Sequence, residues 1–151
     1  MINTRLVALV FVLFFMNCKS QKQTMAPPYP IISMEKTTCY GECPAYKFDV
    51  YPDGEVTYTG HKFVDRLGQY KGKISEDQLS ELKTAFDQAG FFDFANVYSA
   101  SLTDLPTTFI YYDNGKQNSK ITDYYGAPEA LKSLEQFIED YIESIDWKKT
   151  N

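Results

Sequence analysis

A chain of 151 residues has room for one globular domain and a processed leader, which excludes two independent cores. Aromatic residues at 16% beside 23% charged residues are the balance of an ordinary folded protein with a tilt toward tyrosine, so a disordered or fibrous chain is excluded. The net charge of −5 at pH 7 disfavours nucleic acid as a partner, because phosphate backbones are held by basic surfaces.

Met1 to Arg5 carries one positive charge, and Leu6 to Met16 is an unbroken apolar run of eleven residues that ends at Asn17-Cys18. A membrane-spanning helix needs ~20 apolar residues, so the run reads as an export signal and not as a permanent span. It resembles a bacterial lipoprotein signal, in which residues 1–17 are removed and Cys18 is acylated as the first mature residue. Each buried methylene contributes ~0.8 kcal/mol, so two or more acyl chains on Cys18 anchor the protein stably at a membrane. Residues 18–31, with their Gln, Ser, Thr and Pro, follow as a flexible tether. The expected location is the cell envelope, as an outer membrane lipoprotein facing the periplasm.

Residues 32–147 are expected to form the single domain, with 148–151 as a tail. Tyr46, Phe48 and Val50 alternate with Ala45, Lys47 and Asp49, the period of a strand with one buried face. Tyr51-Pro52-Asp53-Gly54-Glu55 suits a three-residue hairpin loop with Gly54 in the left-handed position. That loop pairs Val50 with Val56 and Phe48 with Tyr58, so turn chemistry and apolar pattern choose the same register. A third strand is expected within Phe63 to Ile74. Ser75 and Gln78 form a capping box ahead of Leu79, Leu82, Ala85, Phe86 and Ala89, a helical stripe closed by Gly90. Phe91, Phe92 and Phe94 are expected to turn back under the sheet.

Thr107 to Asp113 and Ser119 to Tyr125 flank Asn114-Gly115, the pattern of a second hairpin. Pro128 opens a second helix, whose buried stripe is Leu131, Leu134, Ile138, Tyr141, Ile142 and Ile145, with Trp147 closing the core. Glu135, Glu139, Asp140 and Glu143 give this helix an acidic side, read as a solvated face. The fold class expected is α+β: an antiparallel sheet of about five strands with two helices packed on one face, in two layers.

Two cysteines sit four residues apart in Cys39-Tyr40-Gly41-Glu42-Cys43. In an oxidising periplasm a tight turn at Gly41 brings them within bonding distance, and a structural disulfide is the plain reading. The rival is thiol redox chemistry, or copper(I) or zinc held by Cys39, Cys43 and His61. Continuing the hairpin register outward sets His61 opposite Ala45 and diagonal to Cys43, and two thiolates with an imidazole suit either metal. Cys-x-x-x-Cys-Pro is also similar to the copper-binding motif of thioredoxin-fold copper chaperones. No Gly-x-Ser-x-Gly and no phosphate-cradling glycine loop is present, and no catalytic residue is assigned.

Cys39-x-Gly41-x-Cys43-Pro44-x-Tyr46, then Asp53-Gly54-x-Val56-x-Tyr58-x-Gly60, then Ala89-Gly90-Phe91-Phe92 resembles a family of uncharacterised bacterial domains of unknown function, often attached to lipoprotein signals. The resemblance runs from about Ile32 to Trp147 and implies the domain boundary and the pairing of the two cysteines, with no catalytic residue. The expectation is a membrane-anchored envelope lipoprotein with a binding or structural domain that is not an enzyme and carries no cofactor. Its partners would be the membrane, through Cys18, and an envelope protein or glycan.

Overall fold

The computed structural model describes residues 29–150, so the signal segment, Cys18 and most of the tether lie outside the described residues. Eight strands form one sheet: β1 (Ile32–Lys36), β2 (Ala45–Val50), β3 (Glu55–Lys62), β4 (Gly68–Lys73), β5 (Val97–Tyr98), β6 (Thr108–Asp113), β7 (Asn118–Asp123) and β8 (Lys148–Lys149). Their order across the sheet is β5-β7-β6-β1-β2-β3-β4-β8. Two helices, α1 (Glu76–Gln88) and α2 (Glu129–Ser144), complete the fold.

The expected antiparallel sheet of about five strands with helices on one face is therefore corrected to a mostly-sheet fold, one mixed eight-stranded sheet with two helices. Three strands account for the difference. β1 lies at the centre, antiparallel to both β2 and β6, with Met34 opposite Phe48 on one side and Ile110 on the other. β5 and β8 are two-residue edge strands, too short to show any period, and β5 runs parallel to β7, which makes the sheet mixed. Lys148–Lys149, expected as a tail, pairs with β4 through Tyr70 and Lys71.

Local chemistry explains why the other elements stand where the sequence puts them. In the β2–β3 loop, Gly54 has φ 82°, Tyr51 N donates to Glu55 O and Gly54 N to Tyr51 O, and the strands pair as expected, Val50 with Val56 and Phe48 with Tyr58. At the head of α1, Ser75 Oγ accepts from Gln78 N while Gln78 Oε1 accepts from Ser75 N, a complete capping box. Pro128, expected as the first helical residue, is instead the N-cap of α2, and the helix begins one position later at Glu129.

One cluster joins the sheet face of Ile32, Met34, Phe48, Val56, Ile110 and Ile121 to the buried stripes of both helices. Phe91 is 1% exposed, and its ring lies 5.0 Å from that of Phe86 and 6.0 Å from that of Tyr112, so the aromatic run after α1 does fold back into the core. Trp147 closes the cluster at the far end, donating from Nε1 to Ile142 O at 2.9 Å and meeting Phe48 edge-on.

Candidate functional site

The Cys39–Cys43 disulfide is formed, with Cα atoms 5.6 Å apart, and Gly41 N donates to Cys39 Sγ at 3.2 Å. Because β1 precedes it, the bridge does not lie at the entry to the first strand. It closes the connection between two neighbouring central strands, β1 and β2, and hands the chain to Pro44 and Ala45. Both half cystines are half-buried.

The register beyond Phe48 and Tyr58 differs from the expected one. Tyr46 pairs with Gly60 but Ala45 pairs with Lys62, so β3 carries one extra residue, His61, as a bulge. Lys62 and not His61 therefore stands opposite Ala45, and His61 is exposed. Both sulfurs are committed to the disulfide, and among the described residues no group of three or more His, Cys, Asp and Glu side chains is placed to hold a metal ion. Cys39, Cys43 and His61 do not make a ligand set in this state.

Next to the bridge the sheet changes character. The cross-strand partners Asp123, Thr108, Lys36, Tyr46 and Gly60 form one row from β7 to β3, the polar continuation of an otherwise apolar face. α2 sets Glu135, Glu139 and Glu143 at i, i+4 and i+8, hence along one line. Each glutamate meets a cation. Glu135 Oε2 accepts from Lys132 at 3.1 Å, Glu139 pairs with Lys36, and Glu143 takes both guanidinium nitrogens of Arg66 at 2.9 and 2.8 Å. The bidentate Arg66 pair ties the β3–β4 loop to the helix.

Between that loop and α2 lies a cavity of about 330 Å³. Pro44, Tyr46 and Tyr58 line it beside the bridge, Phe63 and Asp65 come from the β3–β4 loop, and Asp140 comes from α2. The loop approaches so closely because residue 60 is glycine: a Cβ there would run into the carbonyl oxygen of Arg66. Phe63, at φ 53° and 51% exposed, is turned outward at the rim. The Tyr46 and Tyr58 rings stack at 5.4 Å. Burial raises the Tyr46 hydroxyl far above its ordinary range, and the charges of Glu139, Glu135 and Glu143 add to this. Burial also pushes Tyr58 up to about 12, with the Arg66 charge pulling against it. Both phenols therefore stay protonated at neutral pH.

At the end of the row two carboxyls share one lysine. Asp123 is 2% and Glu135 6% exposed, and Lys132 pairs with both. Asp123 Oδ1 and Glu135 Oε1 have no hydrogen-bond partner among the described residues. Burial lifts Glu135 to about 7, Lys132 lowers it, and the hydrogen bond and charge of Asp123 raise it again. Glu135 therefore keeps its proton well above the usual carboxylate range.

The acidic side of α2 is therefore not simply a solvated face: Glu135 is buried, and Glu139 and Glu143 pin the sheet and the loop. Lys36, Arg66, Asp123 and Lys132 carry no motif and went unassigned in the sequence, whereas Tyr46 and Tyr58 stood in the signature but were read only as residues of the hairpin's apolar face. The one available signal is that Glu135 and Glu139 directly follow the core residues Leu134 and Ile138, at the border of the buried stripe. The family model DUF6438, described as a domain of unknown function, matches residues 30–142, from just before β1 into the last turn of α2. No curated protein matches the chain.

Proposed function

The chain belongs to the DUF6438 family of domains of unknown function, and from that premise we propose that it is a lipid-anchored cell-envelope protein whose domain acts by non-covalent binding at the cavity between α2 and the β3–β4 loop. The observation that carries this reading is the disulfide. Bridges of this kind persist in oxidising compartments, which is where the apolar run and Cys18 would deliver the domain, and this one abuts Pro44, a wall of the cavity. Export, oxidation and the shape of the cavity are thus linked through one short segment. The membrane, through Cys18, is one partner, and the other is an envelope protein or glycan reached across the tether. An outer membrane position facing the periplasm fits the tether and the bridge.

Anchoring is tested in the native host by fractionating cells that express the wild type or Cys18→Ser. Wild-type protein should partition with the membranes and the variant should not. Wild-type protein in the soluble fraction would overturn the anchoring.

A second reading has one observation in its favour. The bridge is half-buried and not sealed in the core, and Gly41 N already points at Cys39 Sγ, where it would steady a thiolate after reduction. Under that reading Cys39 and Cys43 cycle as a redox pair, or take copper or zinc with His61 once reduced.

A further inference from the structure

We infer that the cavity beside the Cys39–Cys43 bridge is a receptor for an alkylammonium group, a primary amine carried on a short aliphatic chain. The inference rests on the reading of this cavity as a binding site and names the chemistry that it selects.

Charge supplies the first argument. Asp65, Glu139, Asp140 and Glu143 line the cavity against one guanidinium, Arg66. Arg66 is spent on Glu143 and Lys36 on Glu139, which leaves Asp65 and Asp140 with no cationic partner among the described residues. Asp140 Oδ1 accepts one hydrogen bond from Gln136 at 2.9 Å, which orients the carboxylate without neutralising it. An anionic ligand is repelled from such a wall, and a cation is drawn to it.

Tyr46 supplies the second, independent of the rim. Its side chain lines the cavity while the residue is 7% exposed, and among the described residues its hydroxyl has no hydrogen-bond partner. What surrounds that hydroxyl is the negative charge of Glu139, Glu135 and Glu143. Tyr46 lines the cavity together with Glu139 and Glu143, so a phenol oxygen and carboxylates are offered side by side to an N–H donor. An ammonium supplies up to three donors, enough for Tyr46 Oη and two carboxylates at once.

Size and lining supply the third. At about 330 Å³ the cavity is at the small end of the ~300–1,000 Å³ that ligand sites span, so it fits a side-chain-sized group and not an extended oligomer. The Phe63 ring at the rim and the stacked Tyr46 and Tyr58 rings give an aliphatic stem apolar surface and a cation aromatic faces.

The amine can belong to a free small molecule or to a lysine-like side chain of an envelope peptide, and the test separates the two. The full-length chain, solubilised in detergent, is titrated with n-butylamine, with Nα-acetyl-lysine-N-methylamide, and with N-acetylglucosamine as a neutral control. Binding is read by calorimetry and by the fluorescence of the sole tryptophan, Trp147, whose ring lies 5.6 Å from Tyr58. Both amines should bind and the sugar should not. Asp65→Asn with Asp140→Asn should weaken the amines by roughly tenfold, and Tyr46→Phe, which keeps the ring, by about fivefold. Tighter binding of the lysine derivative than of butylamine points to a peptide side chain, and equal binding to a free amine. A response to the sugar alone overturns the ammonium assignment while keeping the cavity as a binding site. No response to any probe, or amine binding that the carboxylate variants leave unchanged, overturns the inference.

Discussion

Asp123 and Glu135 carry two carboxyls into the interior with a single lysine between them, and this makes stability depend on pH in a direction opposite to that of most carboxylates. The folded-state pKa of Glu135, about 7, lies above its ordinary 4.5. Below pH 4.5 the group is protonated in both folded and unfolded chains, and its contribution is complete. Between about 4.5 and 7 the folded chain keeps the proton that the unfolded chain has lost, so stability falls as pH rises, and above that window the slope ends. Glu135→Gln removes this titration and keeps the shape of the side chain. Measured by urea midpoints across the window, the wild type should lose stability relative to Glu135→Gln as pH rises, and parallel profiles would contradict the buried-pair account. None of this was readable from the sequence, because a glutamate at the edge of an apolar stripe looks the same whether the sheet covers it or leaves it in water. His61 failed for a related reason. Period-two counting extends a register faithfully only until a bulge, and the bulge at His61 carries no residue signature.

Strands and helices were readable wherever pattern and punctuation agreed. The β2–β3 hairpin had both an alternating face and a Pro-Asp-Gly turn, and α1 had both a capping box and a stripe. β1 has alternation alone: Ile32 and Met34 point to the core while Ser33 and Glu35 do not, over only five residues that follow a proline-containing tether. Its identity as a strand comes from pairing with β2 and β6, contacts that no local window contains. The same holds for β5 and β8, which exist only because a neighbouring edge offers hydrogen bonds. The central position of β1 has a consequence for stability. Met34 is fully buried between Phe48 and Ile110, so Met34→Ala should cost ~2–5 kcal/mol by chemical denaturation, as expected for truncation in a packed core. A loss near zero would contradict the central, packed position of β1.

Taken together, the molecule is one mixed eight-stranded sheet whose buried residues share a single core cluster with those of α1 and α2, and its polar specialisation is concentrated at one end. There the β1–β2 connection, the β3–β4 loop and α2 converge, held respectively by a disulfide, by Gly60 and the Arg66–Glu143 pair, and by the Lys36–Glu139 pair. The bridge closes so short a loop that it removes only ~2 kcal/mol of chain entropy from the unfolded state. Its placement beside the cavity therefore matters more than its contribution to global stability. The proposed export and anchoring would account in one step for a bridge at that position and for the polar stretch between Cys18 and β1. Intact-mass spectrometry of the protein extracted from membranes of its native host tests that claim most directly. The account predicts a mature chain that begins at an acylated Cys18 and is two hydrogens lighter than its reduced form because Cys39 and Cys43 are joined. An unprocessed chain that still begins at Met1, with both thiols free, would contradict it.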